Sequence, residues 1–466
     1  MKRRDFLTAG SLAAGGALLT ARLSFANTPA NGKSRFVFII LRGALDGLAA
    51  VPPYGDRDYP TLRRDLAMQA NNVLQLNDTF GLHPSLAFLS ESYGAHELVV
   101  FHAIAGPYRE RSHFDGQDVL ESGLIRAHAS QSGWLNRALG SMPTSRASDK
   151  ELGVALGQNI PLVMRGPAAV TSWSPSKLAA LDEDTLERIT DLYAGDPLLA
   201  ARLADALAAD AIADSPMNSG SGAAMNGGSA TGAAATASGT NMARNGTSNG
   251  SVMPVANITT SPNAGAPGTT DSVPDAANTL APKPRDKADA ARGGAARYTE
   301  VMHASAEFLR REDGPKVAVF DTTGWDTHAN EGAAQGQLAS RLAALDSGLR
   351  MLKEQLGPVW NDTAVLLATE FGRTAAINGT RGTDHGTATA AFLLGGAVKG
   401  GRVITDWPGL SSRSLYQGRD LMPTLDLRSV LKGVMQEHLQ VPGRALDSTV
   451  FPDSQAAKAL TGLVRT

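Results

Sequence analysis

The sequence predicts an α/β chain: a mostly parallel central sheet flanked by helices and interrupted by a long disordered insert. Three observations point there. Several short apolar runs lack polar–apolar alternation, which suits strands buried on both faces of a sheet. A leucine-patterned segment lies between two of these runs. One long stretch is almost free of charged and aromatic side chains.

The runs come in order. Arg35-Phe36-Val37-Phe38-Ile39-Ile40-Leu41 is the first and breaks into Arg42-Gly43-Ala44-Leu45-Asp46-Gly47. Glu97–His102, Lys316–Phe320, Ala364–Thr369 and Ala390–Leu394 follow, all read as strands of the same parallel, doubly buried type. Leu338, Leu342, Leu345, Leu349, Leu352 and Leu356 recur at four and three residues, so they share one helical face. Strand, helix and strand in that order predict a βαβ unit with a right-handed crossover. Pro84 to Tyr93 and Phe114 to Leu124 read as further helices.

Residues 215–270 hold a single charged residue, Arg244, and no Phe, Trp or Tyr. Such a stretch buries too little apolar surface to offset its conformational entropy. A disordered Gly/Ala/Ser/Thr/Asn-rich insert is therefore expected over 212–286. It would split one α/β domain into 33–211 and 287–466; two separate domains joined by a linker is the alternative arrangement.

The chain of 466 residues carries 43 Lys plus Arg against 45 Asp plus Glu, a formal charge of −2. That balance argues against a general nucleic-acid binder, which would show a basic excess. With no cysteine, a disulfide framework, thiolate zinc ligation and a cysteine nucleophile are excluded. At the N-terminus, Lys2-Arg3-Arg4-Asp5-Phe6-Leu7, an apolar stretch from Ala9 to Leu19 and Ser24-Phe25-Ala26 have the order of a cleaved secretory signal. The paired arginines point to the twin-arginine route, a signal over 1–26 and a periplasmic or extracytoplasmic protein. No later segment is long and apolar enough to be a transmembrane helix.

Ligands of open parallel sheets bind at the carboxyl ends of the strands. The first run delivers Asp46. The second leads to Arg109-Glu110-Arg111-Ser112-His113-Phe114-Asp115. The third delivers Asp321 and then Trp325-Asp326-Thr327-His328. The fourth delivers Glu370-Phe371-Gly372-Arg373, and Thr383-Asp384-His385-Gly386 stands further on. Carboxylates and imidazoles together suit a divalent metal: zinc, manganese, magnesium or calcium. The candidate ligands are Asp46, His113, Asp321, Asp326, His328, Glu370, Asp384 and His385. Ser112, just before a predicted helix, is the candidate nucleophile; its other reading is a helix N-cap. Arg109, Arg111 and Arg373 could grip an anion in bidentate fashion. His83 and His102 read more readily as structural histidines.

These residues carry a resemblance. Leu41–Gly47, Gly81-Leu82-His83-Pro84, Arg111–Asp115, Gly324–His328, Glu370–Arg373 and Thr383–Gly386 are similar to stretches of the family called domain of unknown function 1501. Many of its members carry twin-arginine signals, and the family is placed in the alkaline phosphatase and sulfatase superfamily. The resemblance implies an alkaline phosphatase-like fold. In that superfamily the order is a strand-end metal Asp, a nucleophile at a helix start, an Asp-and-His loop, a strand-end Asp-His pair and a closing His. Asp46, Ser112, Asp326 with His328, Glu370 and His385 fall in that order. The implied activity is metal-dependent hydrolysis of phosphate or sulfate esters, with a small anionic ester or polysaccharide-type substrate. Phe371 departs from the pattern because it cannot bind a metal, and the absence of cysteine closes the formylglycine route of sulfatases. A non-catalytic exported binding or envelope-assembly protein with the same fold is the second expectation. The resemblance also suggests a partner, an exported protein of the domain of unknown function 1800 family.

Overall fold

A computed structural model describes residues 33–143, 152–157, 159–174, 193, 199–200, 203–204 and 287–465. The expected export signal and the expected insert over 212–286 lie outside the described residues. Among those residues, no helix is long and apolar enough to cross a membrane.

The first apolar run forms β1 (Arg35–Arg42) at the centre of the sheet. β4 (Leu98–Ala105), β5 (Gly153–Leu156) and β6 (Val170–Trp173) also come from the first half of the chain. The second half supplies β7 (Val317–Thr323), β8 (Thr363–Ala368), β9 (Thr389–Leu394), β10 (Arg402–Ile404) and β11 (Leu425–Asp426). These nine strands form one sheet in the order β10-β4-β9-β8-β1-β7-β5-β6, with β11 also on β4. A separate antiparallel pair joins β2 (Leu74–Gln75) and β3 (Gly81–Leu82). Both halves of the chain thus contribute strands to one sheet.

One expectation is corrected. Ala390–Leu394 does form a doubly buried strand, but β9 runs antiparallel to both β4 and β8. Burial on both faces shows in the sequence, whereas strand direction depends on the connection. The Thr383–Gly386 loop enters β9 at the edge where the parallel strands end. β7 and β8, joined through α7 (Gln337–Leu356), flank β1 and run parallel to it, with Phe36 opposite Val317 and Ala364.

The two faces of β1 seed two cores. Val37, Ile39 and Leu41 point into one, with the leucines of α7 (Gln337–Leu356) and with Phe88 and Leu89 of α3 (Ala87–Gly94). Phe36, Phe38 and Ile40 point into the other. There they meet Trp134 and Leu135 of α5 (Trp134–Leu139) and the Leu427, Val430, Leu431, Val434 and Met435 face of α8 (Leu427–Glu437). Each such side chain, fully buried, contributes about 1.5–3 kcal/mol. Further helices are α1 (Gly47–Ala50), α2 (Tyr59–Arg63), α4 (His113–Ser122) and α6 (Lys287–Arg310).

Candidate metal centre

The carboxyl ends of β1, β4, β7 and β8 and the start of β9 open on the same edge, and their loops are drawn together by glycines. Gly43 has φ +118°, and a Cβ there would lie 2.7 Å from the Asp326 backbone nitrogen. A Cβ on Gly386 would lie 2.3 Å from the carbonyl of Arg373, beside the antiparallel bridge between Arg373 and His385. Only residues without a side chain permit these approaches.

His113, at the first turn of α4, faces Asp326 and His385; ligand atoms of the three lie within 4.8 Å of one another. His328 joins them, its Nε2 3.0 Å from His385 Nε2 and 3.1 Å from Asp326 Oδ1. Each imidazole is fixed through its other nitrogen. His385 Nδ1 donates to the Arg111 carbonyl at 2.9 Å. His113 Nδ1 donates to Glu370 Oε1 at 2.7 Å, and His328 Nδ1 to Asp384 Oδ1 at 3.2 Å. In the neutral rings the three Nε2 lone pairs therefore converge on the Asp326 carboxylate. His385 Nε2 lies 3.3 Å from Asp326 Oδ1, and His113 Nε2 lies 3.4 Å from Oδ2. His113 Nε2 is buried without a hydrogen-bond partner. Acceptors so gathered repel one another unless a cation lies between them. Two imidazoles and a carboxylate are a donor set for a divalent transition metal.

The surrounding charges act on the rings in opposite directions: those on His113 favour its protonated form, which a bound cation would have to displace, and burial favours neutral His385. The hydrogen bond to Glu370 raises the His113 pKa above the usual imidazole value. Burial lowers that of His385, which favours its neutral, ligating form. Burial opposes ionisation of Asp326, yet the Arg373 guanidinium holds its carboxyl below the usual range. The hydrogen bond from Asn378 does the same for Asp384. Phe371 stacks on His113, ring centroids 5.0 Å apart, and lies 5.3 Å from His385. Where a ligand was expected by analogy, an apolar wall fixes the ring planes instead.

The other expected ligands are elsewhere. Glu370 is enclosed and accepts from the Gly43 backbone (2.9 Å), His113 (2.7 Å), Gln117 (3.1 Å) and Thr369 (2.8 Å). It therefore acts on the cluster by orienting His113. Asp46 is sealed one layer deeper. It caps α1 through the Leu48 and Ala49 amides and pairs with Arg63 at 2.5 Å. Burial opposes its ionisation, but Arg63 keeps it charged. The neighbouring Glu331 carboxyl is pushed up by burial and by Asp46. Thr383 links this layer to the surface, donating to Glu331 at 2.9 Å and accepting from Arg373 at 3.2 Å. Asp321 pairs with Arg42 away from the cluster.

Ser112 precedes α4 but makes no side-chain capping bond, so the N-cap reading fails in its usual form. The three arginines are tied to protein oxygens. Arg109 binds the Gly106 and Tyr108 carbonyls. Arg111 binds Asp420 (2.8 Å) and Gln417 (2.8 Å). Arg373, fully buried, binds Asp326 and Thr383. His83 and His102 sit on backbone groups, with Nε2 bonded to the Ala333 carbonyl (2.9 Å) and the Val51 carbonyl (3.0 Å). Sequence reasoning missed Arg63, Gln117, Glu331, Asn378 and Asp420, polar residues in loops or helices with no strand end to mark them. Thr383 stood in a motif already singled out.

Comparison with curated proteins and with solved structures returns no match. A family model described as protein of unknown function (DUF1501) matches residues 33–450, which takes in every strand of the sheet and the whole cluster. The chain therefore belongs to the DUF1501 family.

Proposed function

We propose that this protein is an exported, metal-dependent hydrolase of small anionic esters, built on an alkaline phosphatase-like fold. The observation that carries the reading is the convergence of the His113, His328 and His385 Nε2 atoms on Asp326. His113, Asp326 and His385 would hold the cation, with His328 as a fourth donor. Imidazoles favour zinc or manganese over magnesium or calcium, which prefer oxygen ligands throughout. When bound, the cation would supply Lewis acidity toward a phosphoryl or sulfuryl oxygen.

The protein's own groups prepare that site. Glu370 fixes the His113 tautomer, the Arg111 carbonyl fixes that of His385, and Arg373 keeps Asp326 ionised and oriented. Phe371 keeps water from one side of the rings. Ser112 directly precedes His113 and would be the nucleophile on this reading. The test is hydrolysis of an aryl phosphate and an aryl sulfate by metal-loaded protein. Turnover should fall at least about 100-fold on chelation or on Asp326→Asn.

A second reading, an exported binding or assembly protein, draws support from the three arginines already tied to protein oxygens. It predicts metal binding without turnover, and a protein partner such as a member of the domain of unknown function 1800 family. Co-purification from the native envelope tests it.

A further inference from the structure

We propose that Arg42, outside the cluster, is a positioning residue for the His113 ring and acts on it through Gln117, whose amide it holds in one sense. Its consequence for a bound cation rests on the reading of His113 as a ligand.

His113, Gln117 and Glu121 stand at i, i+4 and i+8 of α4, so they share one face of the helix. That face meets Arg42, the last residue of β1, and Glu370, just past β8. Gln117 Nε2 donates to Glu370 Oε1 at 3.1 Å, and Gln117 Oε1 accepts from Arg42 Nη1 at 2.9 Å. Arg42 Nη1 also pairs with Glu121 Oε1 at 2.7 Å, and its Nε binds Asp321. The other oxygen of Glu121 accepts from the Val163 amide at 3.1 Å. Two carboxylates thus fix the guanidinium where it meets Gln117. Lysine, a point charge without the planar fork, does not reproduce that set of contacts.

A guanidinium only donates, and an ionised carboxylate only accepts. An amide between them has one end of each kind, so Arg42, Gln117 and Glu370 link in a single sense. Reversed, the amide would set its NH2 against Arg42 and its oxygen against Glu370. Glu370 Oε1 gathers three donors: the Gly43 amide at 2.9 Å, His113 Nδ1 at 2.7 Å and Gln117. Without the Gln117 bond the carboxylate is freer to turn, and its grip on the His113 Nδ1 proton weakens. In the neutral ring that proton then shifts in part to Nε2, the nitrogen 3.4 Å from Asp326 Oδ2. A proton there occupies the lone pair that a cation would use. Asp321, expected at a strand end as a ligand, serves instead as an outer anchor of this relay.

The test has two readouts on full-length protein. The first is the His113 tautomer in metal-free protein labelled with 15N-histidine, at a pH where the ring is neutral. The His113 signal is identified by its loss in His113→Gln. The unaltered ring should carry its proton on Nδ1, and Gln117→Met and Arg42→Met should each give a tautomer mixture. The second is zinc affinity by competition with a chromophoric chelator. Each variant should bind about tenfold more weakly. Because Arg42 acts through Gln117, the double variant should bind no more weakly than Gln117→Met alone. A further loss in the double variant would show that Arg42 merely braces α4, and would overturn the proposal. So would a ring that stays fully Nδ1-protonated in Gln117→Met. If Arg42→Met does not fold, Arg42→Lys, which keeps the charge beside Glu121 and Asp321, should give the same tautomer mixture and takes its place in both readouts. Unaltered protein that binds no zinc would overturn the metal reading of the cluster, while the tautomers still decide whether Arg42 orients His113.

Discussion

At the residue scale, roles in the cluster follow from what each second nitrogen or oxygen touches. Glu370 has the chemistry of a ligand, but both of its oxygens are committed to holding His113, Gln117, Gly43 and Thr369. Glu370→Gln keeps the shape and removes the charge that raises the His113 pKa. Metal affinity should drop about 10–100-fold, as for other partners behind a ligand, read by competition with a chromophoric chelator. Asp326→Ala should abolish binding altogether. Equal losses in the two variants would make Glu370 a direct ligand. Residue identity alone marked Asp326, His328 and His385 as chemistry-bearing. It could not separate ligand from support, because Asp46, Asp321, Asp326 and Glu370 all stand at strand ends and differ only in which cation or amide reaches them first.

At the element scale, the strand-end loops decide whether the cluster forms. Gly43 holds φ +118° and lies against the Asp326 backbone, so Gly43→Ala adds both backbone strain and a clash. A loss of about 1–3 kcal/mol is expected from the conformation alone, with metal affinity falling alongside; denaturant unfolding and metal titration read the two effects. A Gly43→Ala protein with unchanged stability would show that the loop is not held as described. In the frame, Leu349→Ala, at a fully buried position of α7, should cost about 2–5 kcal/mol without touching the cluster. The leucine period of α7 and the apolar runs of β1, β4, β7 and β8 were legible because burial leaves a one-dimensional pattern. β10, β11 and β6 were not, being only 3, 2 and 4 residues long and partly exposed. The reversed direction of β9 was also hidden, since antiparallel and parallel strands look alike when both faces are covered.

At the scale of the whole molecule, one sheet assembled from both halves of the chain brings residues as distant as His113 and His385 into ring contact at 4.3 Å. The same burial sets how the fold responds to acid. His102 is fully enclosed in the sheet, donating from Nε2 to Val51 and accepting at Nδ1 from Ala103, and burial lowers its pKa from 6.5 to about 4. Below pH 6.5 the unfolded chain takes up a proton at this position that the folded chain refuses until about pH 4. Stability from this group is therefore full above pH 6.5 and lost as pH falls toward 4, by about 3 kcal/mol in all. Burial lowers His83 and His438 in the same direction. Urea unfolding across that window should show a shallower loss in His102→Gln than in the unaltered protein; identical slopes would remove His102 from the account.

The central claim is that His113, Asp326 and His385 form a cation site. Elemental analysis of the purified full-length protein tests it most directly. The account predicts about one transition-metal ion per chain, zinc or manganese, lost in His385→Ala and in Asp326→Ala while the fold persists by circular dichroism. Folded, unaltered protein that carries no metal and takes none up from added zinc or manganese would contradict it.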